Sequence, residues 1–193
     1  MSIIIEQYSQ KWPIKFEAIK HVLLDSLNGL PITIEHVGST SVPGLAAKPI
    51  LDIDIIVHGQ PDIFLEVKDR LQLLGYTHNG DQGISGREVF KYNIDQASST
   101  NDNPLLAAHH LYVCHQNSIA LRNHINFRNY LRSNASARQE YETLKKRIAI
   151  ENSNDMERYV EQKTLFITSI LNRMGMPPDE LESIVQQNKK KAE

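Results

Sequence analysis

The sequence predicts a mixed α/β protein of the α+β type, in which a small mixed β-sheet flanked by helices precedes a helical half. Short runs of β-branched residues, such as 32–37 and 50–57, are separated by turn residues over the first 115 positions. Helical spacing of apolar residues then begins near residue 117 and continues almost to the end. The length of 193 residues, 40% hydrophobic and 23% charged, suits one globular domain with a sizeable core.

The first sixty residues predict one helix and two strands. Apolar residues at helical spacing, with a proline in the first turn and Gly29 as a stop, predict a helix over 13–28. The β-branched segments 32–37 and 50–57 predict strands. Between them, 38–49 contains two glycines and two prolines, which predicts a loop or a very short helix.

The middle of the chain predicts one further helix and two further strands. Apolar residues every three or four positions predict a helix over 63–74. The glycine-rich stretch 79–86 predicts a flexible loop, and 87–94 a third strand. The polar stretch 95–104 is expected to be a hairpin connection, leading to a fourth strand at 111–114.

The last third of the chain is predicted to be helical. The helices are expected at 118–132, 135–150 and 155–174, with a short final helix over 177–193 that frays into its lysines. We therefore predict a single domain over 1–193, with a core at about 1–115, a helical part at about 117–175 and a tail at 176–193.

Composition excludes several classes of function. With 21 basic and 23 acidic residues, net charge −2, there is no basic excess of the kind that nucleic-acid binding requires. No apolar run approaches the roughly 18 residues of a membrane span, and Glu6 interrupts the N-terminus too early for a signal peptide. The single cysteine, Cys114, excludes an internal disulfide and predicts a small core residue in a reducing compartment. We expect a cytoplasmic protein, with its oligomeric state open.

Two aspartates interrupt the most apolar predicted strand, 50–57. Because alternate side chains of a strand share a face, Asp52 and Asp54 are predicted to lie together, opposite Ile53 and Ile55. Their Cα atoms are then roughly 7 Å apart. Two full charges at that distance repel by about 2 kcal/mol at an effective dielectric near 20. The pair is therefore expected to have a function that compensates for this repulsion.

A glycine–serine turn precedes this strand and suggests what the aspartates do. Gly38 and Ser39 follow a predicted strand end, where backbone N–H groups and a hydroxyl can hold phosphate oxygens. Two carboxylates on one face can hold Mg²⁺ beside that phosphate, as phosphoryl or nucleotidyl transfer requires. The alternative is that the turn is only a turn, and that the aspartates cap loops or pair with Lys48 and Arg87.

The segment EHVGSTSVPGLAAKPILDID, residues 35–54, resembles the signature of the GrpB family, also called UPF0157. Looser matches continue along the chain in the family's order. They comprise Trp12, Phe16, Arg87, Phe90, Lys91, His110–Val113, Phe127–Leu131, Tyr141–Lys145 and Tyr159–Lys163. The resemblance implies a nucleotidyltransferase-like (polymerase-β-like) core followed by helices, and a Gly-Ser turn working with an Asp-x-Asp strand.

The chain departs from that pattern where a third carboxylate is expected. The resemblance implies an acid on a later strand, often as the base, but the predicted fourth strand offers His109 or His110. The family's second histidine on this strand is Tyr112 here, and its helix aspartate is Asn129. Glu88 and Asp95 are the remaining candidate acids.

Several basic residues are candidates to neutralise a bound triphosphate. They are Lys48, Arg87, Lys91, Arg128, Lys145 and Lys163. Apart from Lys48, these are also consistent with solvated helix faces carrying pairs such as Glu142–Lys146. The remaining histidines show no metal-ligand spacing and are expected to be surface or core fillers: His21, His58, His78, His115 and His124.

Our leading hypothesis from sequence is a magnesium-dependent nucleotidyltransferase-like enzyme. Gly38 and Ser39, with Thr40 helping, are expected to hold the nucleotide's phosphates. Asp52 and Asp54 are expected to bind Mg²⁺. The first alternative is a non-catalytic module that binds a phosphorylated or anionic small molecule in the same pocket. A pure interaction domain is the weaker alternative, because it leaves the aspartate pair without a purpose.

Overall fold

A computed structural model describes residues 3–93 and 103–189. The elements in chain order are α1 (Lys11–Ser26), β1 (Ile32–Val37), β2 (Leu51–Val57), α2 (Pro61–Leu73), β3 (Tyr76–His78), β4 (Arg87–Tyr92), β5 (His109–His115), α3 (Ile119–Ser133), α4 (Ala135–Glu151), α5 (Met156–Arg173) and α6 (Pro178–Lys189). Short 3-10 turns occupy Ser39–Ser41 and Pro104–Leu106. None of the helices in the described ranges is long and apolar enough to cross a bilayer.

The five strands form one mixed sheet in the order β1-β2-β5-β4-β3. Strand β2 pairs antiparallel with β1 and parallel with β5, and β4 pairs antiparallel with both β5 and β3. The interior position of β2, between β1 and β5, explains its apolar sequence, since such a strand is covered on both faces. The predicted α/β fold class, with its small mixed sheet, is confirmed.

The two faces of the sheet carry different contents. On one face, Ile53 and Ile55 of β2 pack in a cluster with residues of α1 and α2, including Leu23 and Leu71. On the other face, Ile56 packs with residues of β5 and α3. The alternation of β2 therefore directs its aliphatic residues to the main core and its aspartates toward the helical half.

The helical half is anchored to the loop that follows β1. Val42 and Leu45 of that loop are buried in a cluster with Leu131 of α3, Tyr141 of α4 and Ile170 of α5. The N-terminal segment also pairs with this loop through a bridge between residues 6 and 47. The candidate phosphate turn is thus held between the sheet and three helices.

The sequence missed one strand, and one of its predictions lies largely outside the described residues. Strand β3 has only three residues, between a glycine and the loop at 79–86, which is too short to show an alternating pattern. The helices predicted at 13–28 and 63–74 begin two residues earlier than expected. The predicted hairpin connection at 95–104 falls mostly within 94–102, outside the described ranges.

Gly38 is packed directly against the carboxylate of Asp52. Val37 is the register partner of Asp52, which places the next residue beside that side chain. The backbone of Gly38 has φ +67° and ψ −172°, a region that is essentially restricted to glycine. A Cβ added there would lie 2.1 Å from Oδ2 of Asp52. Both the turn and the position of Asp52 therefore require a glycine.

We predict that Gly38→Ala lowers the free energy of unfolding by about 3 kcal/mol, because the backbone strain and the clash with Asp52 add. Gly44→Ala is the matched control, since Gly44 has φ +80° but no atom within 4 Å of an added Cβ. This control is expected to lose only about 1 kcal/mol. Urea unfolding measures both, and equal losses would show that the contact with Asp52 is unimportant.

Candidate functional site

The predicted aspartate pair lies on one face of the sheet, as the alternation of β2 requires. The side chain of Asp54 is fully buried and that of Asp52 is 30% exposed. In register, Asp52 is opposite His110 and Asp54 is opposite Tyr112 of the parallel strand β5. The strand expected to carry a third carboxylate therefore presents a histidine and a tyrosine beside the pair.

Each aspartate is hydrogen-bonded to a histidine from a different element. Nδ1 of His110 lies 3.0 Å from Oδ1 of Asp52, and Nδ1 of His124, on α3, lies 2.9 Å from Oδ2 of Asp54. Because the ionised carboxylate of Asp52 only accepts hydrogen bonds, the ring of His110 carries its proton on Nδ1 and leaves Nε2 available. His110 therefore faces the aspartates and has a free nitrogen directed away from Asp52.

The assignment of His124 to surface or core fillers is wrong. His124 and Arg128 are four residues apart on α3, so both lie on the helix face that covers the aspartates. The four-residue spacing of His124 and Arg128 is the sequence signal for this shared helix face. Spacing between histidines does not reveal it, because the partner of His124 is 70 residues away in sequence.

Burial alone would raise the pKa of Asp52, but the hydrogen bond from His110 and the positive charges of His124 and Lys163 lower it below its ordinary value. The carboxylate of Asp52 is therefore ionised at neutral pH.

The side chain of Asp54 has an oxygen, Oδ1, that is buried and has no hydrogen-bond partner. A buried carboxylate oxygen without a donor is costly unless a cation or another ligand contacts it.

The Gly-Ser turn leaves one hydroxyl available. Ser41 donates its hydroxyl to the carbonyl oxygen of Gly38 at 2.7 Å, which stabilises the turn internally. Thr40 is buried, with its Oγ1 3.0 Å from Nε2 of His36, whose pKa burial lowers to about 4. Ser39 is only partly buried and lines the cavity beside Asp52. Thr40 therefore supports the turn from within the core, while Ser39 lies at the cavity wall within reach of the Tyr141 hydroxyl.

Two lysines of the helical half reach the same cavity. Lys145 of α4 is buried, donates to the carbonyl oxygen of Ala46, and lies 4.9 Å from the ring centre of Tyr141. Burial lowers the pKa of Lys145 to about 7.

The ammonium group of Lys163, on α5, lies 4.6 Å from the ring centre of Tyr159. Burial lowers its pKa to about 8, although the negative charge of Asp52 opposes this shift. Both ammonium groups are short of counter-charge, which favours an anionic ligand.

The other predicted cations have different surroundings. Arg128 donates to Oε2 of Glu35 at 2.6 Å and to the carbonyl oxygen of His36 at 2.9 Å, which ties α3 to β1. Lys48 lies at the cavity wall, with Nζ 3.9 Å from Sδ of Met156. Lys91 is exposed at the cavity edge, and Arg87 is buried against the ring of Tyr112. The surface pair predicted between Glu142 and Lys146 is present at 2.5 Å.

The remaining candidate acids do not complete the pair. Glu88 is hydrogen-bonded to His78 at 2.7 Å, and Asp95 lies outside the described ranges. Sequence reasoning overlooked Glu35, whose Cα is the register partner of Asp54 but whose carboxylate pairs with Arg128. Its position depends on the β1–β2 register, which a 13-residue connection does not define. Within residues 3–93 and 103–189, no three His, Cys, Asp or Glu side chains form a metal-binding group.

These groups surround one cavity of about 830 Å³ between the sheet and the helical half. Its wall includes Gly38, Ser39, Asp52, Lys145 and Lys163. A volume of this size is typical of small-molecule sites. The structure therefore places the turn, the exposed aspartate and the two lysines of the helical half around one space.

Known proteins resemble this chain in sequence and in fold. It is 34% identical over 172 residues to the glutamate-rich protein GrpB of Alkalihalophilus pseudofirmus, covering 89% of this chain and 95% of that protein. The crystal structure of GrpB from Enterococcus faecalis superposes with a TM-score of 0.71 at 29% identity, covering 90% and 100% of the two chains.

A more distant likeness concerns the fold alone. A structure of the GLD-2/RNP-8 complex matches with a TM-score of 0.55 at 11% identity, covering 91% of this chain and 64% of that one. This likeness agrees with the nucleotidyltransferase-like fold expected from the sequence. The GrpB protein family itself matches residues 2–173. The chain therefore belongs to the GrpB family.

Proposed function

We propose that this protein binds a nucleoside triphosphate together with Mg²⁺ and transfers its nucleotidyl group to a small acceptor. The observation that carries the proposal is the packing of Gly38 against the carboxylate of Asp52. This packing brings a turn suited to phosphate within contact of an acid suited to a metal. The lysines at 145 and 163 supply positive charge on the other wall of the cavity.

The residues present fit a magnesium ion. Each aspartate has one carboxylate oxygen that no histidine contacts. In Asp54 this is Oδ1, which lacks a donor, and in Asp52 it is Oδ2, which lies beside Gly38. Mg²⁺ commonly takes one or two protein carboxylates and completes its shell with phosphate oxygens and water. Such an ion would neutralise charge on the phosphates and on the aspartate pair.

His110 is suited to accept the acceptor's proton. Its Nδ1–H is held by Asp52, and its half-exposed ring leaves Nε2 free. In the proposed step an acceptor hydroxyl gives its proton to Nε2 of His110 and its oxygen attacks the α-phosphorus. An oxygen–phosphorus bond forms there, and the bond to the β-phosphate oxygen breaks. Pyrophosphate leaves with that electron pair, and Ser39 and the two lysines are placed to hold its charge.

A second candidate function is non-catalytic binding of a phosphorylated small molecule. It is favoured by one observation, namely that β5 offers His110 and Tyr112 where a third acid is expected, while Glu35 is paired with Arg128. The two functions share the ligand site and differ in turnover. Pyrophosphate release, measured with MgATP across pools of small acceptors, separates them.

We predict that nucleoside triphosphates raise the melting temperature only when Mg²⁺ is present. The linked stabilisation is about 2.7 kcal/mol at a hundredfold excess over Kd. Asp52→Asn combined with Asp54→Asn is expected to abolish the magnesium dependence while preserving the fold, because it removes repulsion between two close charges. Thermal shift with each nucleotide, with and without Mg²⁺, measures this.

The matched control for that double variant is Asp25→Asn with Asp69→Asn. These exposed carboxylates lie on α1 and α2, across the sheet from the cavity. They should leave the magnesium-dependent shift unchanged. If no triphosphate gives such a shift in the unmodified protein, the proposed function is refuted.

We also predict that ATP affinity falls as pH rises from 7 to 9. The pKa of Lys145 in the free protein is about 7, so binding above that pH requires uptake of a proton. Lys145 alone should give a slope approaching one log unit of Kd per pH unit, and Lys163, whose pKa is about 8, should steepen it towards pH 9. Lys145→Met should weaken binding at pH 7 and reduce the slope, whereas Lys15→Met, on the exposed side of α1, should change neither. Calorimetric titration at several pH values tests this, and an identical slope in Lys145→Met would contradict it.

A further inference from the structure

Arg87, at the start of β4, is a buried cation directed into the cavity. Arg87 is 7% exposed, and the carbon of its guanidinium group lies 4.5 Å from the ring centre of Tyr112. Its Cα is the register partner of Cys114, which places it on the sheet face shared with Tyr112. Arg87 lines the same cavity as the aspartates.

This arginine lacks the partners that a buried guanidinium normally has. Across the described residues, no carboxylate lies within 4.0 Å of its guanidinium, the guanidinium makes no hydrogen bond, and its buried Nε is without an acceptor. The neighbouring acid, Glu88, is hydrogen-bonded to His78 instead. Stacking on Tyr112 compensates only part of the desolvation cost of the guanidinium, since a cation–π contact is weaker than the hydrogen bonds that the buried group has lost.

Arg128 provides the contrast within the same cavity wall. It is buried to the same degree, 8% exposed, yet it donates to the carboxylate of Glu35, to the carbonyl of His36 and to the side chain of Asn129. The guanidinium of Arg128 thus has three hydrogen-bond acceptors, whereas that of Arg87 has only an aromatic face. An unsatisfied buried cation beside a cavity is the arrangement expected of an anion-binding residue.

The residue before Arg87, Gly86, is packed tightly against the start of α3. Gly86 has φ +77°, and a Cβ there would lie 2.7 Å from Cβ of Ser118. Ser118 caps α3 by accepting from the N–H of Leu121, and the first turn of α3 lines the cavity. The partial positive charge of that helix end adds to the charge of Arg87.

The subsite of Arg87 is separate from the phosphate turn. Strand β5 lies between β2 and β4, so Arg87 starts about 10 Å from the aspartate strand, on the side away from Gly38. Its guanidinium covers Tyr112, which is two residues, or about 7 Å, along β5 from His110. An acceptor whose hydroxyl is at Nε2 of His110 can therefore place a second group at Arg87.

We propose that Arg87 binds an oxyanion of the acceptor, a carboxylate or a phosphate, and that the acceptor is an anionic small molecule. Assigning this anion to the acceptor rests on the proposed transfer function, but binding of an anion at Arg87 does not. With the ring of Tyr112 on one face, the guanidinium presents its edge to a planar or tetrahedral anion.

The first test compares stability without ligands. Arg87→Met keeps the apolar bulk and removes the unpaired charge, so its melting temperature should equal or exceed that of the unmodified protein. Arg128→Met should lower it, because Glu35 and a backbone carbonyl lose their donor. A fall for Arg87→Met as large as that for Arg128→Met would make Arg87 a structural residue and overturn the proposal.

The second test reports on the site directly. In phosphate-free buffer, the side-chain Nε–H NMR resonance of Arg87, assigned from its loss in Arg87→Met, is followed while inorganic phosphate or acetate is added. A saturable shift with either probe supports the proposal, and the better probe identifies the class of anion. No saturable shift with either overturns it.

The same resonance separates this proposal from the transfer function. The shift should persist in Asp52→Asn/Asp54→Asn, even though that variant is expected to lose magnesium-dependent nucleotide binding. MgATP alone should leave the resonance close to its free position. A full shift with MgATP alone would assign Arg87 to the nucleotide and overturn its assignment to the acceptor.

Discussion

Two carboxyl groups, two residues apart on the interior strand β2, are the constraint around which this cavity is organised. Asp54 is fully buried, and the nearby positive groups and donors all come from elements distant in sequence. His110 and His124 each occupy one oxygen of the pair, and Lys163 adds charge from α5. This compensation is local and incomplete, because one buried oxygen of Asp54 keeps no donor. This oxygen is therefore the group in the site that most requires a donor or a cation.

The helices of the C-terminal half have two roles, packing against the loop after β1 and carrying side chains of the cavity. Their apolar periodicity does not distinguish these roles. Part of the helical half packs on the loop after β1 and fixes the Gly-Ser turn. The same helices carry His124 and the two cavity lysines, Lys145 and Lys163, whose ammonium groups lie over the rings of Tyr141 and Tyr159. The contacts of Ala46 show that one helix, α4, has both roles. Its N–H donates to Glu142, and its carbonyl accepts from Lys145, one helical turn along α4. A group that helps hold the turn also presents positive charge to the ligand space.

Local patterns in the sequence predicted the features that depend on local physics. Alternation predicted that Asp52 and Asp54 share a face, and glycine beside serine after a strand predicted a specialised turn. Pairings across the fold were not predictable in this way. The contact of His124 with Asp54 and the pairing of Glu35 with Arg128 depend on how α3 crosses the sheet, which helical periodicity leaves undefined. Strand β3 was missed because three residues at a sheet edge gain their stability from neighbours rather than from propensity.

The parallel pairing of β2 with β5 also has a consequence for how the chain folds. Residues 52 and 110, which face each other across this pairing, are 58 positions apart, and a large loop must close before they meet. The antiparallel pairing of β1 with β2 spans a much shorter connection and can form first. Both histidines that contact the aspartates lie beyond this large loop, so the β1–β2 pairing can bring the two aspartates onto one face before either histidine reaches them.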